Sequence, residues 1–157
     1  MQFTLRTRVG QPVEAVFPVF GEAAFVESLA PRLMGLQVTR IGLQLGDEIE
    51  VRFTGLGPRG PWISRIDSME KSEPAIWFVD RSIELPWPFS AFHHRHGFVR
   101  DGRGTMLVDN PTFSVSPGIL GIFVYPLLRL SFGMRRSVYR KRFGAPAGTP
   151  GKEAPAP

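Results

Sequence analysis

The sequence predicts an α+β fold in which a seven-stranded, curved antiparallel sheet wraps around a long C-terminal helix, with two short helices after strand 1. Two observations support this prediction. Six candidate strands follow one another with only short turns between them, and the last amphipathic segment of the chain has helical periodicity. Consecutive strands joined by short turns form an antiparallel meander. The apolar face of such a sheet must be covered, and the terminal helix is the long element available for it.

The chain of 157 residues, 43% hydrophobic and 21% charged, is long enough for one ordinary domain. We expect a ligand-binding domain over residues 1–143 and a disordered tail rich in Pro, Gly and Ala over residues 144–157. Because cysteine is absent, disulfides, thiol catalysis and cysteine-built metal sites are excluded. The N-terminus has no apolar signal-peptide region, so a cytoplasmic location is expected.

The N-terminal elements are one strand and two short helices. Residues 3–9 alternate between an apolar and a polar face, which is typical of a half-buried strand. Pro12 suits the first turn of a helix whose apolar stripe runs from Val13 to Phe20. Pro18 lies inside that stripe and should kink or shorten the helix. A second short helix is predicted over residues 23–30.

Six further strands are separated by turns rich in Gly, Pro, Asp and Ser. Their side chains alternate between a dry and a wet face, as Ile49, Val51 and Phe53 do against their charged neighbours. The predicted strands are Met34–Ile41, Asp47–Leu56, Pro61–Glu70, Ala75–Ile83, Phe89–Arg100 and Gly104–Val115.

The segment from about Ile119 onward has helical periodicity, and Pro126 should kink the helix or mark where its regular part begins. The apolar run of residues 119–128 is about half the length of a membrane span, so no transmembrane helix is predicted. Six residues share one face of this helix and are expected to face the sheet: Leu120, Val124, Leu127, Ser131, Met134 and Val138.

The net charge of +5 is concentrated in residues 129–142, which hold six basic residues and no acid. The rest of the chain is near balance, with 13 basic and 14 acidic residues. Because nucleic-acid binders usually spread basic charge beside exposed aromatics, no nucleic-acid partner is expected. A solvated helix face is the simplest interpretation, and contact with an anionic membrane surface is an open alternative that is not favoured. The sequence does not indicate the oligomeric state.

All three histidines lie within four residues of one predicted strand. There, His94 and His96 share a face with Phe92 and Phe98, whereas His93 points to the other face. If the aromatic face is the inner one, two imidazoles enter the wall of a cavity beneath the helix. The sequence therefore predicts that His94 and His96 face the interior.

The roles of these imidazoles stay open. They could be structural, hydrogen-bonded to a buried acid such as Asp80 or Asp109. They could also orient the polar group of a ligand, or act as acid–base catalysts with those acids, because imidazole titrates near neutrality. Asp80 itself could point inward or pair with Arg65 or Arg81 at the surface.

A metal site is a more specific alternative role for the same two histidines. His-x-His on one strand face presents two ring nitrogens, and the third ligand would have to be a carboxylate. The sequence alone does not favour this alternative, and we expect neither a metal nor a cofactor. A glycine-containing loop at residues 55–60 joins two strands and does not open a helix, so it gives no support for nucleotide binding.

The chain resembles the START-related helix-grip superfamily, often labelled SRPBCC, which includes birch-pollen-allergen-type and polyketide cyclase-like proteins. The resemblance covers about residues 1–143, and its closing segment, Met134 to Arg140, resembles one bacterial branch in which Trp is expected where this chain has Phe92. The resemblance to the superfamily rests on the following residues: the first strand followed by Gln11-Pro-Val-Glu-Ala-Val-Phe17, then Phe78-Val-Asp80, Pro88-Phe89 and Phe92-His-His-Arg-His-Gly-Phe98, and finally Asp109 before the last helix.

The resemblance implies a helix-grip domain, and members of the superfamily bind lipids, hormones or polyketides, so the fold does not specify a ligand. In this fold the loop of residues 55–60 could act as a flap over the cavity. The stiff loop carrying Trp87 between two prolines is expected at the cavity mouth.

From these observations we predict that the protein binds a small, largely apolar molecule, lipid-, polyketide- or aromatic-like, between the sheet and the last helix. The alternative is a cyclase-, dehydratase- or hydrolase-like enzyme that uses His94 or His96 with Asp80 or Asp109. A sheet–helix sandwich filled by its own side chains is a further alternative. The predicted ligand-binding residues are Phe53, Trp62, Phe78, Phe92, His94, His96, Phe98, Leu127, Met134 and Val138.

Overall fold

The structure, a computed structural model, describes residues 1–146. It contains seven strands, three α-helices and short 3₁₀ turns at 17–21, 32–34 and 118–120. The elements in chain order are β1 (Leu5–Val9), α1 (Val13–Val16), α2 (Ala23–Ser28), β2 (Leu36–Arg40), β3 (Glu48–Phe53), β4 (Trp62–Ser72), β5 (Ala75–Glu84), β6 (Phe89–Asp101), β7 (Gly104–Val115) and α3 (Gly121–Phe143).

The seven strands form one antiparallel sheet in the order β1-β7-β6-β5-β4-β3-β2. Each strand from β2 to β7 therefore pairs with the next one in sequence, and β1 joins the sheet beside β7. The predicted meander is confirmed, and each strand end lies within three residues of its predicted position. The predicted tail at 144–157 lies outside the described residues except for its first three.

Pro18 shortens the first helix, as the sequence predicted. α1 spans only four residues and continues as a 3₁₀ turn from Phe17 to Gly21 that contains the proline. Phe17 and Phe20 from this turn pack edge-on against Phe98 of β6. The short helices therefore cover one end of the sheet, and their aromatic rings pack against its inner face.

Of the predicted face of α3, Leu120, Val124 and Val138 pack against the core, but the most deeply buried residues lie beside that face. Leu127 and Met134, expected to face the sheet, are 66% and 48% exposed, whereas Phe132, Tyr139 and Phe143 are buried. The helix lies against β1 and β7 rather than across the middle of the sheet. Because residues 119–130 are apolar on nearly every side of the helix, their hydropathy pattern does not single out the buried face. The helix continues through Pro126.

By length and composition alone, α3 with its preceding turn passes the test for a membrane span, with a mean hydropathy of 1.2 over the best window. A core helix that passes the same test is mostly buried, whereas 11% of this window is buried. Three aromatic side chains of α3 are buried against the sheet and the short helices: Phe132 joins one core cluster, and Tyr139 and Phe143 join the other.

Candidate ligand-binding site

A cavity of about 840 Å³ lies between α3 and strands β2 to β6 and opens to solvent on one side. It exists because α3 leans on β1 and β7, which leaves the inner face of the other strands partly uncovered. Its wall is mainly aliphatic and aromatic, and a few polar side chains gather at one place on it. This volume and lining are typical of a pocket for a small, largely apolar molecule.

Most of the predicted ligand-binding residues lie in the wall of this cavity. Those in the wall are Phe53, Trp62, Phe78, Phe92, His94, His96, Leu127 and Met134. Leu127 and Met134 stand at the open side, which reconciles their position in the wall with their exposure. That any of these residues binds a ligand stays a prediction.

Two predicted residues, Phe98 and Val138, lie outside the cavity wall. Phe98 is buried beneath Phe17 and Phe20, because the short N-terminal helices cover that end of β6. Val138 packs against the core cluster around Tyr139, three residues beyond Arg135, where the part of α3 that lines the cavity ends. These two residues are not part of this wall, and their role in ligand binding stays a prediction.

The polar part of the wall, on β5 and β6, belongs to a cluster that extends to Asp109 of the adjacent strand β7, which is not itself a wall residue. Asp80 pairs in register with His94, and His96 pairs in register with Asp109. The side-chain contacts cross these pairs: Asp80 contacts His96, and Asp109 contacts His94. The two imidazole rings lie side by side, with centroids 3.7 Å apart. All four side chains therefore meet on the inner face of the sheet, as the strand alternation predicted for the histidines.

Asp80 and His96 form a hydrogen-bonded pair. Oδ2 of Asp80 lies 2.9 Å from Nε2 of His96. Burial alone would raise the pKa of the Asp80 carboxyl, but the contacts with His96 and a hydrogen bond from Ser64 lower it below its ordinary value. Asp80 is therefore an ionised, inward-facing acid. Its alternative surface partners are engaged elsewhere: Arg65 pairs with Glu48, and Arg81 with Asp67.

His94 and Asp109 are close but poorly aligned. Nε2 of His94 lies 3.2 Å from Oδ1 of Asp109, yet it makes no hydrogen bond within the described chain. Burial, followed by the neighbouring His96, lowers the pKa of His94 to about 4, and the adjacent carboxylates only partly oppose this shift. The imidazole of His94 is therefore neutral at physiological pH.

Asp109 is held from the side of α3. The hydroxyl of Tyr139 donates to Oδ2 at 3.1 Å, and Nη1 of Arg135 lies 3.6 Å from Oδ1. Burial would raise the pKa of Asp109, but the contact with His94 and the charge of Arg135 outweigh it and lower the pKa to about 2. Burial and the neighbouring Asp109 raise the pKa of Tyr139 well above its usual value, so the phenol stays protonated and donates.

Sequence reasoning missed Arg135 and Tyr139. Arg135 was grouped with the basic run of residues 129–142, although it is largely buried and its guanidinium lies over the Phe132 ring. The available signal was the spacing of Phe132, Arg135 and Tyr139, which places all three on one face of a helix.

The fold has many counterparts among solved structures. The aromatase/cyclase Zhui from Streptomyces sp. R1128 aligns with a TM-score of 0.68 and 14% identity, over 90% of this chain and 92% of that one. Norcoclaurine synthase from Thalictrum flavum, in complex with dopamine and hydroxybenzaldehyde, aligns with a TM-score of 0.62 and 14% identity, over 90% and 86%. The chain has the helix-grip fold. The resemblance seen in the sequence is thus confirmed at the level of fold.

A protein from Thermus thermophilus, TTHA0849, shares the helix-grip arrangement with a TM-score of 0.60 and 16% identity, over 88% of this chain and 91% of that one. No protein-family model and no curated protein matches the sequence. At such low identity the likeness concerns the fold, and the chemistry must be argued from the cavity itself.

In this helix-grip domain the mouth of the cavity is bordered by two loops and α3. Trp87 is 71% exposed and lies in the wall, and Leu56, Pro58 and Arg59 from the loop after β3 border the opening beside it. The expectation that Trp87 stands at the mouth is confirmed. Residues 56–59 therefore lie where a flap over the cavity would lie. Movement of this loop as a flap stays a prediction.

Proposed function

We propose that this protein binds a small, largely apolar molecule with one polar end in the cavity between the sheet and α3. The observation that carries this proposal is the open cavity of about 840 Å³, whose mainly apolar wall includes an inward-facing polar cluster. Burying apolar surface contributes about 25 cal/mol per Å². The cluster of Asp80, His94, His96 and Arg135 supplies the polar contacts that would fix the orientation of the ligand.

The solved structures with the same fold support this class of ligand. Norcoclaurine synthase is described in complex with dopamine and hydroxybenzaldehyde, and Zhui is an aromatase/cyclase. The ligands named for the first are small aromatic molecules with polar ends. The aromatic rings of Trp62, Phe89 and Phe92, packed together in this cavity wall, suit a similar guest.

The test fills the cavity with a side chain. Ser131 of α3 lies in the cavity wall, whereas Ser137 of the same helix is exposed and lines a separate depression between α2 and α3. We expect Ser131→Trp to weaken binding of a fluorescent fatty-acid or naphthalene probe at least about tenfold, equivalent to about 1.4 kcal/mol. Ser137→Trp should leave the affinity unchanged. Displacement titration and native mass spectrometry measure both effects, and no uptake by the wild-type protein contradicts the proposal.

A second candidate function is catalysis of proton transfer in the same cavity. The observation that favours it is the neutral imidazole of His94 beside the ionised Asp109, at a site largely shielded from water. A neutral imidazole can act as a general base, and a nearby carboxylate would stabilise the imidazolium that forms. A carbonyl compound bound with its acidic C–H near His94 would lose a proton to that imidazole.

This candidate is tested by deuterium exchange at the carbon next to the carbonyl of an aryl ketone, followed by NMR. We expect exchange faster than in buffer, loss of that acceleration in His94→Gln, and retention in His93→Gln, whose side chain faces the other side of the sheet. Because protonation of His94 occurs near pH 4, the rate should fall only as the pH approaches about 4. Equal rates in wild type and His94→Gln would exclude this role.

A further inference from the structure

Two nitrogen atoms of the polar cluster, Nε2 of His94 and Nε of Arg135, are buried without a hydrogen-bond partner among the described residues. Nε2 of His94 makes no hydrogen bond within residues 1–146, and the side chain is only 6% exposed. His94 also belongs to the cavity wall. An unsatisfied buried polar atom costs about 1–3 kcal/mol, and native proteins rarely keep one without a reason. The orphaned nitrogen of His94 therefore points to a binding partner that the chain itself does not supply.

The ligating atoms of Asp80, His94 and His96 all lie within 4.8 Å of one another. All three side chains project from neighbouring strands, β5 and β6, which pair in register at this point. A tetrahedral zinc ion with bonds of about 2.0–2.2 Å keeps its ligand atoms roughly 3.4 Å apart, so side-chain adjustments of about 1 Å would bring the three into place. Two imidazoles and a carboxylate are ligands that zinc and related divalent ions take.

The charges of the cluster are unevenly balanced. Asp109 has Arg135 and the Tyr139 hydroxyl beside it, so its charge is already compensated. Asp80 is buried, and among the described residues its ion-pair partner is His96, with no Lys or Arg in contact. A buried carboxylate needs a compensating charge. A divalent cation between Asp80 and the two imidazoles would supply that charge and also satisfy Nε2 of His94.

We infer that Asp80, His94 and His96 bind a divalent transition-metal ion of the zinc class, with an open coordination position towards the apolar cavity. Asp109, which Tyr139 and Arg135 hold in place, lies beside the proposed site as a second carboxylate whose charge is already compensated. The open position suits an oxygen atom at the polar end of a bound molecule. That last step rests on the proposed function, whereas binding of the ion does not.

The test measures binding of Zn²⁺ alone to the full chain after treatment with a chelator, by equilibrium dialysis and elemental mass spectrometry. We expect one zinc ion per chain. His94→Ala and His96→Ala should each weaken binding by about 100-fold or more, because the effect of losing a ligand exceeds that of losing an outer partner. His93→Ala is the matched control, since His93 lies on the same strand but faces away, and it should leave the affinity unchanged.

Cobalt substitution keeps the proposal testable if an alanine variant fails to fold. Co²⁺ bound by the wild-type protein should show the intense visible absorption of a four-coordinate site, and the near-isosteric Asp80→Asn should shift or abolish it. Less than one zinc ion per chain, equal losses in His93→Ala and His94→Ala, or a spectrum of hydrated Co²⁺ would overturn the inference. Because no apolar molecule is used, these outcomes are independent of the probe titration in the Ser131→Trp and Ser137→Trp comparison.

Discussion

The two inward histidines have different surroundings although they are separated by one residue. His96 contacts Asp80 in a hydrogen bond and stacks on Phe78, whereas His94 is more deeply buried and its contact with Asp109 is misaligned. Burial therefore dominates at His94 and keeps its imidazole neutral. The strand alternation predicted the face of both residues, but it could not predict this difference, which depends on Arg135 and Tyr139 from α3.

For this single residue, we predict that burial of His94 makes the free energy of unfolding depend on pH. The unfolded chain binds a proton on His94 below its ordinary pKa of 6.5, whereas the folded protein resists protonation until about pH 4. The free energy of unfolding should therefore fall as the pH drops from about 6.5 to 4, by up to roughly 3 kcal/mol. Urea unfolding of the metal-free protein at several pH values measures this.

The variant His94→Gln should flatten the dependence between pH 6.5 and 4, and His93→Gln should retain it. Below that range, protonation of Asp109, whose folded pKa is about 2 against 3.8, should reduce stability further in His93→Gln and less in His94→Gln, because the contact with His94 is the main cause that lowers this pKa. A wild-type slope that persists unchanged in His94→Gln would show that another group is responsible.

Among the elements, the strands were predictable and the orientation of α3 was not. A strand has a period of two, so a single polar–apolar alternation such as that of residues 3–9 decides which side faces inward. α3 is apolar around much of its circumference, and its buried face is chosen by large rings, Phe132, Tyr139 and Phe143, that fit between β1, β7 and the short helices. This fit depends on tertiary packing and is not visible in the periodicity.

A pair of substitutions tests the observed orientation of α3. Phe132 is 5% exposed and Leu130, two residues earlier, is 65% exposed. We expect Phe132→Ala to lower the free energy of unfolding by about 3–5 kcal/mol, because it leaves a hole among aromatic rings. Leu130→Ala should change it by about 0.5 kcal/mol or less. Equal losses in a urea titration would mean that the helix is rotated from the orientation described.

At the scale of the whole molecule, the cavity follows from how the helix and the sheet share their surfaces. The sheet has seven strands, but α3 covers mainly β1 and β7, and the short helices cover one end of the sheet with Phe17 and Phe20. The inner face of the remaining strands keeps its apolar side chains without a full covering element. The sequence could predict that a covering element was needed, but whether space remained beneath it depended on the position of α3.

The most direct test of this account locates a bound apolar probe by NMR, using the indole protons of two tryptophans as reporters. Trp62 lies in the cavity wall, and its Nε1–H donates to Ser82, whereas Trp77 lies on the outer face of the sheet beneath Arg95. With a naphthalene probe at one equivalent, we predict intermolecular NOEs to Trp62 and none to Trp77. NOEs to Trp77 alone, or no NOE to either indole in a saturated complex, would contradict a sheltered site between the sheet and α3.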